Sequence, residues 1–186
     1  MSLLEIFATV MTVICVVLAV KRNVWNYPIG IVGTIAFFFV FWNAGLVSSA
    51  WLQVFFTFVQ VYGWWFWLKG DRGAKPKVTT TPFWLLVLGY AFAAVSGLAL
   101  STITSMLGAN MAIMDAAIFT FSVLAQFMMD RKKLESWIVW ALVDVVSIYV
   151  YGSQGLWVTT ALYAGLLINT GWGYYEWRKA SLAKAV

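Results

Sequence analysis

The chain has 186 residues, 63% of them hydrophobic and 10% charged, with a mean hydropathy of +0.86 and a net charge of +5. A soluble domain of this length carries roughly 45–50% apolar and about 25% charged residues, so this excess is too large for a core to hide and marks an integral membrane protein. Histidine is absent and Cys15 is the single cysteine, which removes disulfides and most zinc, copper, haem and iron–sulfur arrangements.

A helix needs roughly 20 apolar residues to cross the hydrocarbon core. That ruler predicts seven spans, at about 3–20, 25–42, 47–68, 82–103, 109–129, 136–152 and 156–177. The breaks carry turn and interface residues, among them Lys21-Arg22-Asn23, Asn43-Ala44-Gly45, Lys69–Gly73, Ser105–Asn110, Asp130–Glu135 and Gly152–Gly155. No short apolar stretch is followed by a small-residue cleavage site, so the first span is expected to be retained. All twelve basic residues fall after spans one, three, five and seven, and none after spans two, four and six. The positive-inside rule then places the N-terminus outside and the C-terminus in the cytoplasm. Asp130, Glu135 and Glu176 lie among those basic residues and are expected to neutralise them.

The sequence repeats at a register of 110 residues. Glu5 meets Asp115, Thr12 meets Ser122, Gly63 meets Gly173 and Trp67 meets Trp177; Trp25 pairs with Trp137 at a register of 112, as if shifted by two. Both copies begin outside and end inside, so they are parallel repeats, and span four is the odd helix that returns the chain across the membrane. The fold class expected is an all-α polytopic membrane protein whose seven transmembrane helices form two parallel three-helix repeats joined by a linker helix. Its divisions are a first repeat over 1–68, a cytoplasmic loop and linker helix over 69–107, a second repeat over 108–178 and a cytoplasmic tail over 179–186. Parallel repeats about an axis along the membrane normal are a transporter architecture, with substrate near the midplane at the repeat interface.

This three-plus-one-plus-three plan looks like that of the SWEET sugar transporters. The sequence resembles, nearly end to end, the bacterial PnuC family of nicotinamide riboside transporters. The residues that carry the resemblance are Trp25–Gly30 (WNYPIG), Gln53 and Gln60 with Tyr62-Gly63-Trp64-Trp65, the Asp144 helix beginning Trp137–Trp140, and Asn169 with Gly171-Trp172-Gly173 and Trp177. The resemblance implies facilitated diffusion of nicotinamide riboside, an NAD precursor, into the cytoplasm by alternating access, with a lipid bilayer around the protein and a separate kinase trapping the product. It is also compatible with a homotrimer. Alternatives are another vitamin precursor such as thiamine, a small sugar, or a receptor or assembly subunit that translocates nothing.

Polar groups in a spanning helix face other helices or a cavity. Gln53, Thr57 and Gln60 form one stripe on span three, and Trp64 continues it one turn on. Two amides suit a carboxamide and ribose hydroxyls, whereas helix–helix hydrogen bonding is the plainer use of the same groups. Trp65 and Trp67 point elsewhere and read as interfacial belt. On span seven, Thr159, Tyr163 and Thr170 occupy the equivalent stripe, with Asn169 beside it and Trp172 three residues on; Tyr163, Asn169 and Trp172 are the substrate candidates there. Span six sets Trp137, Trp140, Asp144, Ser147 and Tyr151 on one face. The pyridinium of nicotinamide riboside is a cation that a carboxylate and tryptophan faces could both stabilise, but a protonated or backbone-bonded Asp144 is equally open. The two matched acids near the outer face, Glu5 and Asp115, read as mouth or interface residues. No P-loop, GxSxG or HExxH motif is present, so neither ATPase nor hydrolase chemistry, and no catalytic residue, cofactor, metal or nucleic-acid partner, is expected.

Overall fold

The computed structural model describes residues 3–43, 47–69, 77–106, 111–153 and 157–182. Seven α-helices run through them: α1 (Leu3–Val20), α2 (Asn26–Asn43), α3 (Val47–Lys69), α4 (Phe83–Met106), α5 (Ala112–Asp130), α6 (Ser136–Ser153) and α7 (Trp157–Leu182). Their bounds follow the bilayer ruler closely except at α7, which continues to Leu182. Hydropathy stops at the first basic side chains, Arg178 and Lys179, but backbone hydrogen bonding does not. Arg72, Lys75, Lys184, Asp71, Gly45 and Gly155 lie outside the described residues, as do the side chains of Glu5, Ser49, Tyr151 and Thr159.

The chain forms two compact units, Met1–Lys77 and Val78–Val186. In the first, α1 packs on α2 and α2 on α3; in the second, α4, α5, α6 and α7 pack in serial order. The helix expected as the linker, α4, packs on α5 inside the second unit. Leu86 and Tyr90 of α4 cover a cluster of Ala125, Met128 and Val139, together with Phe121, Leu124 and Trp140. Large apolar side chains also stand outward: Phe58 is 70% exposed, Phe92 77% and Ile168 78%. Water would penalise such a surface and hydrocarbon would not. Among the described residues, α4 over Phe83–Ile103 and α5 over Ala112–Asp130 are long and apolar enough to cross a membrane, and α1, α2 and α6 hold shorter apolar stretches.

The 110-residue register is visible at the level of single hydrogen bonds. Helices α2 and α6 begin and end 110 residues apart, and so do the starts of α3 and α7. The turns that precede α2 and α6 are copies. Arg22 and Lys132 both take left-handed backbone, at φ 55° and 51°. Each closes a Schellman ending, with Asn23 N–H on Leu18 O and Arg22 N–H on Ala19 O in one, and Lys133 N–H on Met128 O and Lys132 N–H on Met129 O in the other. The tryptophan pairing expected at 112 is corrected by this register. Tyr27, 2% exposed, meets Trp67 edge-on at 5.2 Å, and Trp137, also 2% exposed, meets Trp177 edge-on at 5.4 Å. Trp25 points away and is 63% exposed. Trp67, expected in the interfacial belt, is instead core; Trp65 remains exposed.

A strap joins the start of α4 to the α5–α6 turn. Thr79 N–H donates to Lys132 O and Leu134 N–H to Thr79 O, while Thr81 N–H donates to both carboxylate oxygens of Glu135 at 3.1 and 3.0 Å. The Lys133 ammonium donates to Thr79 Oγ1 at 2.9 Å. Glu135, expected to neutralise neighbouring basic residues, thus also caps the chain just ahead of α4. Glu135→Gln is expected to cost about 1 kcal/mol, in the range for a partly exposed charge-assisted hydrogen bond, and to speed amide exchange at Thr79 and Thr81 while leaving that of α3 unchanged.

Candidate functional site

In the first unit the polar stripe of α3 is turned into the bundle. The Thr57 and Thr34 hydroxyls lie 2.9 Å apart, within reach of the Gln53 and Ile31 carbonyls at 2.8 and 3.0 Å. One hydroxyl donates to the other and the second donates to backbone, so neither oxygen is left without a partner. Gln60 is buried, and its carboxamide fills the space over Gly30. A Cβ at Gly30 would overlap that amide and come within 2.8 Å of Cys15 Sγ. Three helices thereby meet at Cys15, Gly30 and Gln60. Thr57, one of the expected substrate contacts, hydrogen-bonds Thr34 across α2 and α3 in this structure, and Gln60, another, packs over Gly30. Gln53 and Trp64 are half-buried on the same helix. Gly30→Ala is expected to lower stability by about 1–2 kcal/mol through overpacking, and Gln60→Ala in the same chain should recover most of it; thermal unfolding of the detergent-purified protein measures both.

The second unit is built differently at the same positions. Asp144 is 1% exposed and its Oδ2 has no hydrogen-bond partner. Ser147 Oγ, Trp137 Nε1 and Trp140 Nε1 on the same helix are likewise buried and unpartnered, as is Asn169 Oδ1 on α7. Helices α6 and α7 pack directly on each other. Trp137 fixes their register, because its ring lies against Gly173, where a Cβ would stand 2.6 Å from three of its carbons. Asp144 is seven residues further along α6, on the face that meets α7. Buried polar atoms are nearly always paired, and a group of them without partners on two packed helices needs an explanation. Indole N–H donors, a carboxyl oxygen, a hydroxyl and an amide oxygen are groups that a cationic ligand carrying donors and acceptors of its own can satisfy.

The remaining candidates are less enclosed. Tyr163 is half-buried, and Trp172 is 40% exposed on the side of α7 away from Gly173 and Trp177. Asp115 is exposed near the start of α5, and Trp140 is shared with the α4–α5 cluster. Sequence reasoning missed Thr34. The 110 register would have pointed to Thr34, which falls on Asp144.

A family model described as nicotinamide mononucleotide transporter matches residues 2–179. The chain is 25% identical to the nicotinamide riboside transporter PnuC of Escherichia coli, covering 88% of this chain and 80% of that protein. It is 24% identical to the PnuC of Haemophilus influenzae over 96% of this chain and 80% of the relative. A riboflavin/roseoflavin transporter, RibM of Streptomyces davaonensis, is 25% identical over 93% of this chain and 83% of its own length. The crystal structure of a vitamin B3 transporter, PnuC, superposes with a TM-score of 0.78 at 22% identity, covering 95% of this chain and 81% of that one. At that identity the likeness speaks for the fold alone.

Proposed function

The chain belongs to the nicotinamide mononucleotide transporter family, and we propose that it carries nicotinamide riboside across the cytoplasmic membrane into the cell. The observation that carries this reading is the set of unpartnered buried atoms on α6 and α7, an Asp144 oxygen among them. A pyridinium cation answers the carboxyl oxygen and the indole faces. Its carboxamide answers Asn169 and an indole N–H, and its ribose answers Ser147. Gln53 and Trp64 of α3, with Tyr163 and Trp172 of α7, are the further contacts proposed, on the strength of their places on the helix stripes.

The riboside fits better than the mononucleotide or the flavin. A phosphate dianion in hydrocarbon calls for basic partners, and the lysines and arginines of this sequence all fall in loops or at helix ends. A flavin ring is neutral and brings no positive charge to a carboxylate. We further propose that all seven helices span the bilayer as two parallel three-helix repeats with α4 between them, the N-terminus outside, and that transport is passive and alternates access by movement of the repeats. Asp144 is enclosed, so a ligand reaches it only when the helices around it part.

Binding to the purified protein tests the substrate. Nicotinamide riboside is expected to raise the thermal midpoint, as any ligand specific to the folded state does, while nicotinamide mononucleotide, thiamine and riboflavin leave it unchanged. A shift with riboflavin and none with the riboside would replace this reading by the flavin one.

A further inference from the structure

The two units differ most informatively at one pair of positions. In the first, Thr34 on α2 and Thr57 on α3 share a hydrogen bond of 2.9 Å. At the 110-residue register these positions become Asp144 on α6 and Leu167 on α7. The register holds across this helix pair, because the ring contact Tyr27–Trp67 reappears as Trp137–Trp177 with nearly the same centroid separation, 5.2 against 5.4 Å. Leu167 therefore stands opposite Asp144, where the first unit has a hydroxyl. The carboxyl group has taken the place of one threonine, and the other threonine has been replaced by an alkyl chain that can neither donate nor accept. Asp144 Oδ2 is left without a partner at 1% exposure. Leaving a buried polar atom unpaired costs about 1–3 kcal/mol, and a threonine at position 167 would remove that cost. The α2–α3 pair holds threonine at the same place.

We propose that Leu167 is a positioning residue for substrate selectivity: by withholding a hydroxyl from Asp144, it reserves the carboxyl group for a cationic ligand. The inference rests on the assignment of a cationic riboside to this site. It explains how two bundles of the same design come to have different chemistry: the first uses its polar pair to hold its helices together, and the second keeps one member unsatisfied. A ligand that brings a positive charge replaces the missing partner, whereas an uncharged ligand of equal shape gains nothing from it.

The test compares Leu167→Thr with Leu167→Val, which match in shape and differ by the hydroxyl, each in the native and the Asp144→Leu background. Two ligands are used, nicotinamide riboside and its uncharged 1,4-dihydro form. Without ligand, Leu167→Thr is expected to unfold a few degrees above Leu167→Val, about 2–4 °C for each kcal/mol in a chain of this size. That difference should vanish with Asp144→Leu, which offers the hydroxyl no partner. Leu167→Thr should bind the cationic riboside about tenfold more weakly than Leu167→Val, a difference of about 1.4 kcal/mol, and bind the dihydro form within about twofold. Equal weakening of both ligands, or a threonine–valine difference that persists without the Asp144 carboxylate, would overturn the proposal. Leu167→Ser against Leu167→Ala repeats the comparison with smaller side chains should the threonine variant fail to fold. Failure of the unaltered protein to bind either form would sink the substrate assignment and, with it, the selectivity role. The ligand-free comparison would still report whether Leu167 withholds a partner from Asp144.

Discussion

Asp144→Asn is expected to leave the protein folded and to weaken nicotinamide riboside binding by about 100-fold, or close to 3 kcal/mol. Removing one member of a buried charge pair costs about 2–5 kcal/mol in binding, because the charge that remains is stranded. Here the stranded charge would be the pyridinium of the ligand. The effect on the empty protein runs the other way. Asp144 is buried with one oxygen unpartnered, so exchanging carboxyl for carboxamide relieves a desolvation cost and brings no loss of stability. A merely structural Asp144 gives the opposite pattern, with a lower unfolding temperature and unchanged affinity among the molecules that remain folded. Calorimetric titration with the riboside, beside thermal unfolding without it, separates the two. The uncharged dihydro form should lose far less affinity than the cation.

Gly173→Ala carries the second large expectation. The new methyl would lie 2.6 Å from three carbons of the Trp137 ring. That ring is 2% exposed and held edge-on by Trp177, which is fully buried. Unlike the amide of Gln60 over Gly30, an indole enclosed on every side cannot swing aside, so α6 and α7 must separate. Overpacking of this kind costs about 1–3 kcal/mol, and it shifts α6, which carries Asp144. Riboside uptake should therefore fall with the unfolding temperature. Gly171→Ala is the control, because nothing lies within 4 Å of a Cβ there. It should stabilise α7 by up to about 1 kcal/mol through helix propensity alone. If the two alanines behaved alike in thermal unfolding, Gly173 would have no role in seating Trp137.

The helices were legible because one physical constraint, the thickness of the hydrocarbon core, sets the length of each. The turns were legible from their basic residues. Side-chain roles were harder, since a stripe on one helix does not say which neighbour it meets. Gln60 and Thr57 read as one polar stripe in the sequence, but their neighbours Gly30 and Thr34 depend on how α2 and α3 are rotated. Trp67 and Trp65 are neighbours in sequence, yet one is core and the other is exposed. Only the ring of Tyr27 across the bundle decides between them. The strap at Thr79–Thr81 left no trace in the sequence, because its backbone and side-chain hydrogen bonds join segments about 50 residues apart. Asp144 stood out from the start as a carboxylate deep in an apolar helix. Its missing partner was also written in the sequence, as Leu167 where the repeat has Thr57, but it becomes meaningful only once the Thr34–Thr57 hydrogen bond is seen.

Counterflow in proteoliposomes is the most direct test of the transport account. Vesicles loaded with unlabelled nicotinamide riboside and diluted into a trace of the labelled compound, with no proton or sodium gradient, should accumulate label transiently. Vesicles bearing the Asp144→Asn protein should not. Label that enters only when an ion gradient is imposed, or that enters equally well through the Asp144→Asn protein, would contradict it.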